Sequence, residues 1–62
     1  MEINSLIQVK IFGNTIFGYV TKIYENGSVD FFDLENCIDR FAYKNQIVSI
    51  KRKFVYQYYG TH

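Results

Sequence analysis

The chain has no proline and no tryptophan, one cysteine and one histidine. Without proline, a low-complexity tract or an internal repeat, nothing marks a linker, so the 62 residues are expected to form one domain, residues 1–62. The lone Cys37 has no second cysteine to bond with, which excludes an internal disulfide. No histidine or lysine adjoins it in sequence to activate it, so it reads as a small buried hydrophobe rather than a nucleophile or redox centre. The only histidine, His62, is the final residue, where a side chain lacks the fixed partners a general base needs. There is also no glycine-rich phosphate loop, no Cys/His pair and no serine elbow motif. The expectation is therefore a protein without catalytic residues, metal or cofactor.

Apolar runs are short: the longest are two or three residues, such as Ile16-Phe17, Ile47-Val48 and Phe54-Val55-Tyr56. A bilayer-spanning helix needs roughly 20, so no membrane partner is expected. Met1-Glu2-Ile3-Asn4-Ser5 has neither a basic start nor an apolar core of a secretory signal, which suggests a cytoplasmic location. Charge of one sign is also missing. Seven Lys/Arg stand against six Asp/Glu, for a net +1, so polyanion binding could rest only on a local patch.

What is present is apolar and aromatic: 48% hydrophobic and 19% aromatic residues, enough for a small core. A chain this short buries only roughly 60% of its unfolded surface, which leaves little room for a deep cleft. Residues 6–12 alternate, with Ile7, Val9 and Ile11 forming an all-apolar set, and predict a first strand ending at Gly13-Asn14. Residues 15–24 are β-branched and aromatic and lead into Glu25-Asn26-Gly27-Ser28, where Asn-Gly signals a hairpin. A strict two-residue loop would set Tyr24 opposite Val29 and Lys22 opposite Phe31, mixing apolar and charged groups on each face. Val20 and Ile23, three apart, fall on opposite faces unless a bulge or bend intervenes near Thr21-Lys22. A strongly bent second strand suits a small closed barrel.

A third strand is expected over 29–33 with Val29 and Phe31 inward and Asp30 and Phe32 outward, then a turn at Leu34-Glu35-Asn36. A short fourth strand spans 37–43, and Lys44-Asn45-Gln46 can hold one helical turn. A fifth spans 47–53 with Val48 and Ile50 inward and Lys51 and Lys53 outward. Five short strands in so small a chain predict an all-β, five-stranded barrel over about 6–53, followed by an aromatic tail over 54–62.

The order Phe17-Gly18-Tyr19-Val20-Thr21-Lys22-Ile23, Asn26-Gly27, Val29 to Asn36, then Val48-Ser49-Ile50 resembles a Tudor-like barrel, a branch of the Src-homology-3-like folds. In that family the stretch after strand three typically runs Phe-x-Asp-Tyr-Gly-Asn. Here Phe31, Asp33 and Asn36 match, while Leu34 and Glu35 replace the tyrosine and glycine. The resemblance implies a binding module and, in some members, an aromatic cage for a methylated cation. Leu34 cannot supply an aromatic wall, leaving Phe17, Tyr19 and Phe32 as a partial cage or as ordinary packing.

Asp30, Asp33, Glu35 and Asp39 lie within ten residues but lack calcium-loop spacing, and read as solvated loop carboxylates. Partner information concentrates at the C-terminus, where Lys51-Arg52-Lys53 runs into Phe54-Val55-Tyr56-Gln57-Tyr58-Tyr59. Cations followed by aromatics can meet phosphates and stack on bases. The same aromatics can instead close the barrel or dock on a protein. The bias toward Ile, Lys, Asn, Tyr and Phe suits an AT-rich genome, and so short a barrel resembles phage or plasmid accessory proteins.

The expectation is stoichiometric docking on a protein partner, as an inhibitor or adaptor, through Phe17, Tyr19, Phe32, Tyr58 and Tyr59. The alternative is weak nucleic-acid binding through Lys51, Arg52, Lys53 and the aromatics Tyr56, Tyr58 and Tyr59. Homodimerisation through an edge strand is a third possibility, since an exposed aromatic edge invites strand addition.

Overall fold

A computed structural model describes residues 1–53. The strands are β1 (Ser5–Ile11), β2 (Asn14–Ile23), β3 (Val29–Asp33), β4 (Ile38–Ala42) and β5 (Ile47–Lys53), with a 3₁₀ turn over Lys44–Gln46 before β5. They form one antiparallel sheet in the order β4-β3-β2-β1-β5. The five strands and the helical turn fall where the alternation and turn residues predict. The sheet is not closed: β4 and β5 are its two edges and do not pair with each other, which corrects the expected closed barrel.

Burial follows the alternation. Ile7 and Val9 of β1, Val20 of β2, Val29 and Phe31 of β3 and Ala42 of β4 are fully buried, with Ile11, Ile16 and Ile47 packed against them. These residues lie on one face of the sheet, which is the inner face.

Two turns show how sequence sets register. Phe12 and Gly13 both have positive φ (50° and 82°), as a two-residue primed hairpin loop requires, and Ile11 faces Asn14 across it. The second hairpin departs from the two-residue expectation. Gly27 N–H donates to the Tyr24 carbonyl and Tyr24 N–H to the Ser28 carbonyl, enclosing a three-residue loop with Gly27 at φ 91°. Asn26 is thereby freed to accept from Ser28 N–H through its side chain. Ile23, not Tyr24, faces Val29, and Lys22 faces Asp30 rather than Phe31. This register removes the mixing of apolar and charged groups that a two-residue loop would have forced. The pairing then slips by one between Val20 and Lys22, so Val20 and Ile23 face the same side despite their odd spacing.

Two further expectations are corrected. Val48 and Ile50 are not core residues; each is about half exposed (54% and 53%). β5 pairs only with β1, and its register breaks twice: between Ser5 and Ile7, and between Gln8 and Val9, where Ser49 and Ile47 are the partners and Val48 is the extra residue. Ile50 faces Ile7 and so lies on the inner side, but the free edge leaves it open. Cys37, expected to be buried, is exposed at φ 56° in the β3–β4 turn.

Candidate functional site

The outer face of the sheet gathers several of the residues singled out from sequence. Leu6 faces Tyr19, Tyr19 faces Phe32 and Phe32 faces Asp39, giving one row across four adjacent strands. The Tyr19 and Phe32 rings lie 5.5 Å apart, tilted by 36°, a cross-strand pair that commits part of each ring to its neighbour. Phe17, two residues before Tyr19 on β2, shares that face and is 51% exposed. β5 lies beyond β1. Ser49 faces Gln8, to which its hydroxyl donates, and Ile50 faces Ile7; beyond them the register shifts, so that Lys53 faces Ser5.

Phe17, Tyr19 and Phe32 therefore share one face, and Lys51 lies exposed on the edge strand β5. Arg52 and Lys53 continue β5, with Lys53 opposite Ser5. Tyr56, Tyr58 and Tyr59 lie outside the described residues, as does the rest of the aromatic tail.

The acidic residues do not converge. Asp33 is fully buried and acts within the fold. One carboxylate oxygen accepts from the backbone N–H of Glu35 and Asn36, and the other from the Asn36 side chain and from Arg40 Nε at 2.7 Å. Hydrogen bonding from the Asn36 side chain leads this set in holding the Asp33 carboxyl well below the usual carboxylate range. Burial opposes that shift, and the Asn36 and Glu35 backbone donors and Arg40 reinforce it. The two motif residues Asp33 and Asn36 thus build the β3–β4 turn. Asp30 accepts from the Tyr24 hydroxyl at 2.8 Å, and this bond, with desolvation and the nearby negative charge, raises the phenol above its ordinary value. No group of three His, Cys, Asp or Glu side chains that could hold a metal ion occurs among the described residues.

A second aromatic cluster escaped the sequence reading. Tyr24, Phe41 and Tyr43 form an edge-to-face chain, with centroids 5.7 Å apart for Tyr24–Phe41 and 5.0 Å for Phe41–Tyr43. Lys22 Nζ sits 4.8 Å from the Tyr24 ring centre, at cation–π distance. The cluster borders two open grooves of about 570 and 590 Å³ at the end of the sheet, which share Asn26 and Ser28 in their walls. Only the alternate spacing of Phe41 and Tyr43 hinted at it. Their junction with Tyr24 depends on the three-residue hairpin loop and the β3–β4 register.

Comparison with protein-family models, with curated proteins and with solved structures finds no match to this chain.

Proposed function

We propose that the protein is a non-enzymatic binding module that docks stoichiometrically on a protein partner through the outer face of its sheet. The observation that carries this reading is the position of Phe17, half exposed beside the Tyr19–Phe32 pair on adjacent strands. Aromatic side chains presented on a rigid sheet are the usual anchors of protein interfaces, because they bury much apolar area for little ordering cost. The strand order, the bulged β2 and the helical turn before β5 support a Src-homology-3-like, Tudor-like architecture for the module. An inhibitor or adaptor of phage or plasmid origin is the form such docking would take.

Affinity capture from a cell lysate by the immobilised protein and by a Phe17→Ser variant tests the face. A partner held in equimolar amounts by the native chain and lost with Phe17→Ser is the expected result. Equal retention by both would remove this face from consideration. Loss of a central anchor should cost about 2 kcal/mol or more of binding free energy.

One observation favours a second reading. Lys51, Arg52 and Lys53 follow one another on the edge strand β5, next to β1, so this edge of the sheet offers charge to single-stranded nucleic acid, with the aromatic tail following it in sequence. So few phosphate contacts would bind weakly and with steep salt dependence. Fluorescence anisotropy of labelled oligonucleotides at about 50 and about 200 mM salt separates the two readings. Saturable, salt-sensitive binding moves the function to nucleic acid.

A further inference from the structure

We infer that the groove between the β2–β3 hairpin loop and the 3₁₀ turn holds one nucleotide of a single-stranded nucleic acid, its base stacked on Tyr43 and its phosphate beside Lys44. The site deepens the nucleic-acid reading above, on which it rests, by giving a base a place.

The groove wall carries the chemistry. Asn26, Ser28, Tyr43, Lys44 and Asn45 line about 570 Å³, room enough for a ligand of this size. One aromatic ring, one cation, two amides and a hydroxyl stand there without a carboxylate. Lys44 makes no ion pair among the described residues, so its charge is available to an anion. The same charge disfavours a cationic guest, and an apolar anchor would leave the two amides without partners once their water was displaced. Glu25 lines only the neighbouring groove.

Both side chains that would grip the nucleotide are held from behind. Tyr43 N–H donates to the Gln46 side chain and its carbonyl accepts from Gln46 N–H, which fixes the backbone beneath the ring. The ring meets Phe41 edge to face at 5.0 Å, and Phe41 meets Tyr24 in the same way. That contact takes one edge or one face of Tyr43, and with the residue 60% exposed a ring face stays open for a base. Lys44 lies across the hairpin loop, where a Cβ at Gly27 would sit 2.8 Å from Lys44 Cδ. Glycine there lets the lysine stem rest on the loop. Asn26 commits its side-chain oxygen to Ser28 N–H, which leaves its NH₂ as a donor for a base carbonyl or a phosphate. β5 begins directly after the turn and carries Lys51, Arg52 and Lys53 at its other end, so the groove and the basic stretch mark the two ends of one edge strand.

The test is NMR on the full chain titrated with oligothymidylate at about 50 mM salt, with anisotropy of the labelled oligonucleotide giving the affinity and thermal melts confirming that each variant folds. Backbone amide shifts should centre on residues 26–28 and 43–45. Tyr43→Leu should weaken binding about tenfold, as the loss of one stacked base, whereas Tyr43→Phe should stay within about threefold of the native chain. Lys44→Gln should weaken it about threefold and lower the salt slope by about one phosphate contact.

Shifts confined to residues 51–62, with Tyr43→Leu binding as tightly as the native chain, overturn the inference and leave the nucleic-acid reading on β5. Binding that depends on Lys44 but not on Tyr43 also overturns it, because an anion without a stacked base would then be the ligand. No saturable binding at this salt overturns the site and the nucleic-acid reading together.

Discussion

On the inner face of the sheet Ile7, Val9, Val20, Val29 and Phe31 are wholly buried, and the one carboxylate among them, Asp33, takes four hydrogen bonds. On the outer face Phe17 is half exposed, and the row through Tyr19 and Phe32 ends at Asp39, which is exposed to solvent. Both faces mix apolar and charged groups, and what separates them is whether the charge is satisfied. Burying an unpaired carboxylate costs several kcal/mol, so an acid survives on the inner face only with donors on all sides. Outside, water solvates an unpaired charge until a partner displaces it. The inner face buries its carboxylate among donors, whereas the outer face leaves Asp39 to the solvent.

The largest test of this contrast is Phe31→Ala, which should cost about 3–5 kcal/mol in chemical denaturation because it empties the centre of a core that has little else. A loss below about 1 kcal/mol would mean that the inner face is not the core.

Next comes acid. The folded-state pKa of Asp33 lies below that of the unfolded chain, so its contribution is complete above the ordinary carboxylate value near ~4 and is lost as pH falls below it. Thermal melts between neutral pH and about pH 3 should show a steep fall for the native chain and a flatter one for Asp33→Asn. Parallel curves would place the acid sensitivity elsewhere.

Phe12→Asn should change stability in the opposite direction. Phe12 is 98% exposed at positive φ, where asparagine is far better tolerated, so a gain of about 0.5–1 kcal/mol is expected. A loss would show that the ring makes contacts in the whole chain that outweigh its backbone strain.

The smallest effect sharpens the comparison most. Phe17→Ser should alter the monomer's stability by no more than about 0.5 kcal/mol while removing docking. If it unfolds the chain, the outer face is structural after all.

Much of this fold was legible in the residues. Alternation placed Ile7, Val9, Val29 and Phe31 on the inner face, and the odd spacing of Val20 and Ile23 demanded the bulge that β2 contains. Lys44-Asn45-Gln46 forms the short helical turn, held by Gln46 N–H donating to the Tyr43 carbonyl and Tyr43 N–H to the Gln46 side chain. The second hairpin was misjudged because Asn-Gly fits both a two-residue loop and a three-residue loop with glycine at its last position. The two differ in register by one residue, which only the pairing of Ile23 with Val29 decides. Val48 was misassigned, and Ile50, though on the inner side, is not buried, because alternation carries no information about bulges or about which strand is an edge. Among site residues, Phe17, Tyr19 and Phe32 could be named from sequence, but not that they share one face.

The sequence by itself determined the class of element, the inner hydrophobic set and the turn positions, because these follow from local periodicity and the φ preferences of Gly and Asn. Tertiary structure alone decided the roles of the carboxylates. Asp33 became a buried turn centre and Asp39 an exposed end of the outer row, though they lie only six residues apart in one hairpin. It also decided which residues stand together, since Ser49 meets Gln8 only through the pairing of β5 with β1 across more than forty residues of chain. Long-range register is a property of the whole sheet, set by how every strand's apolar face competes for one core, and no local stretch of residues contains it.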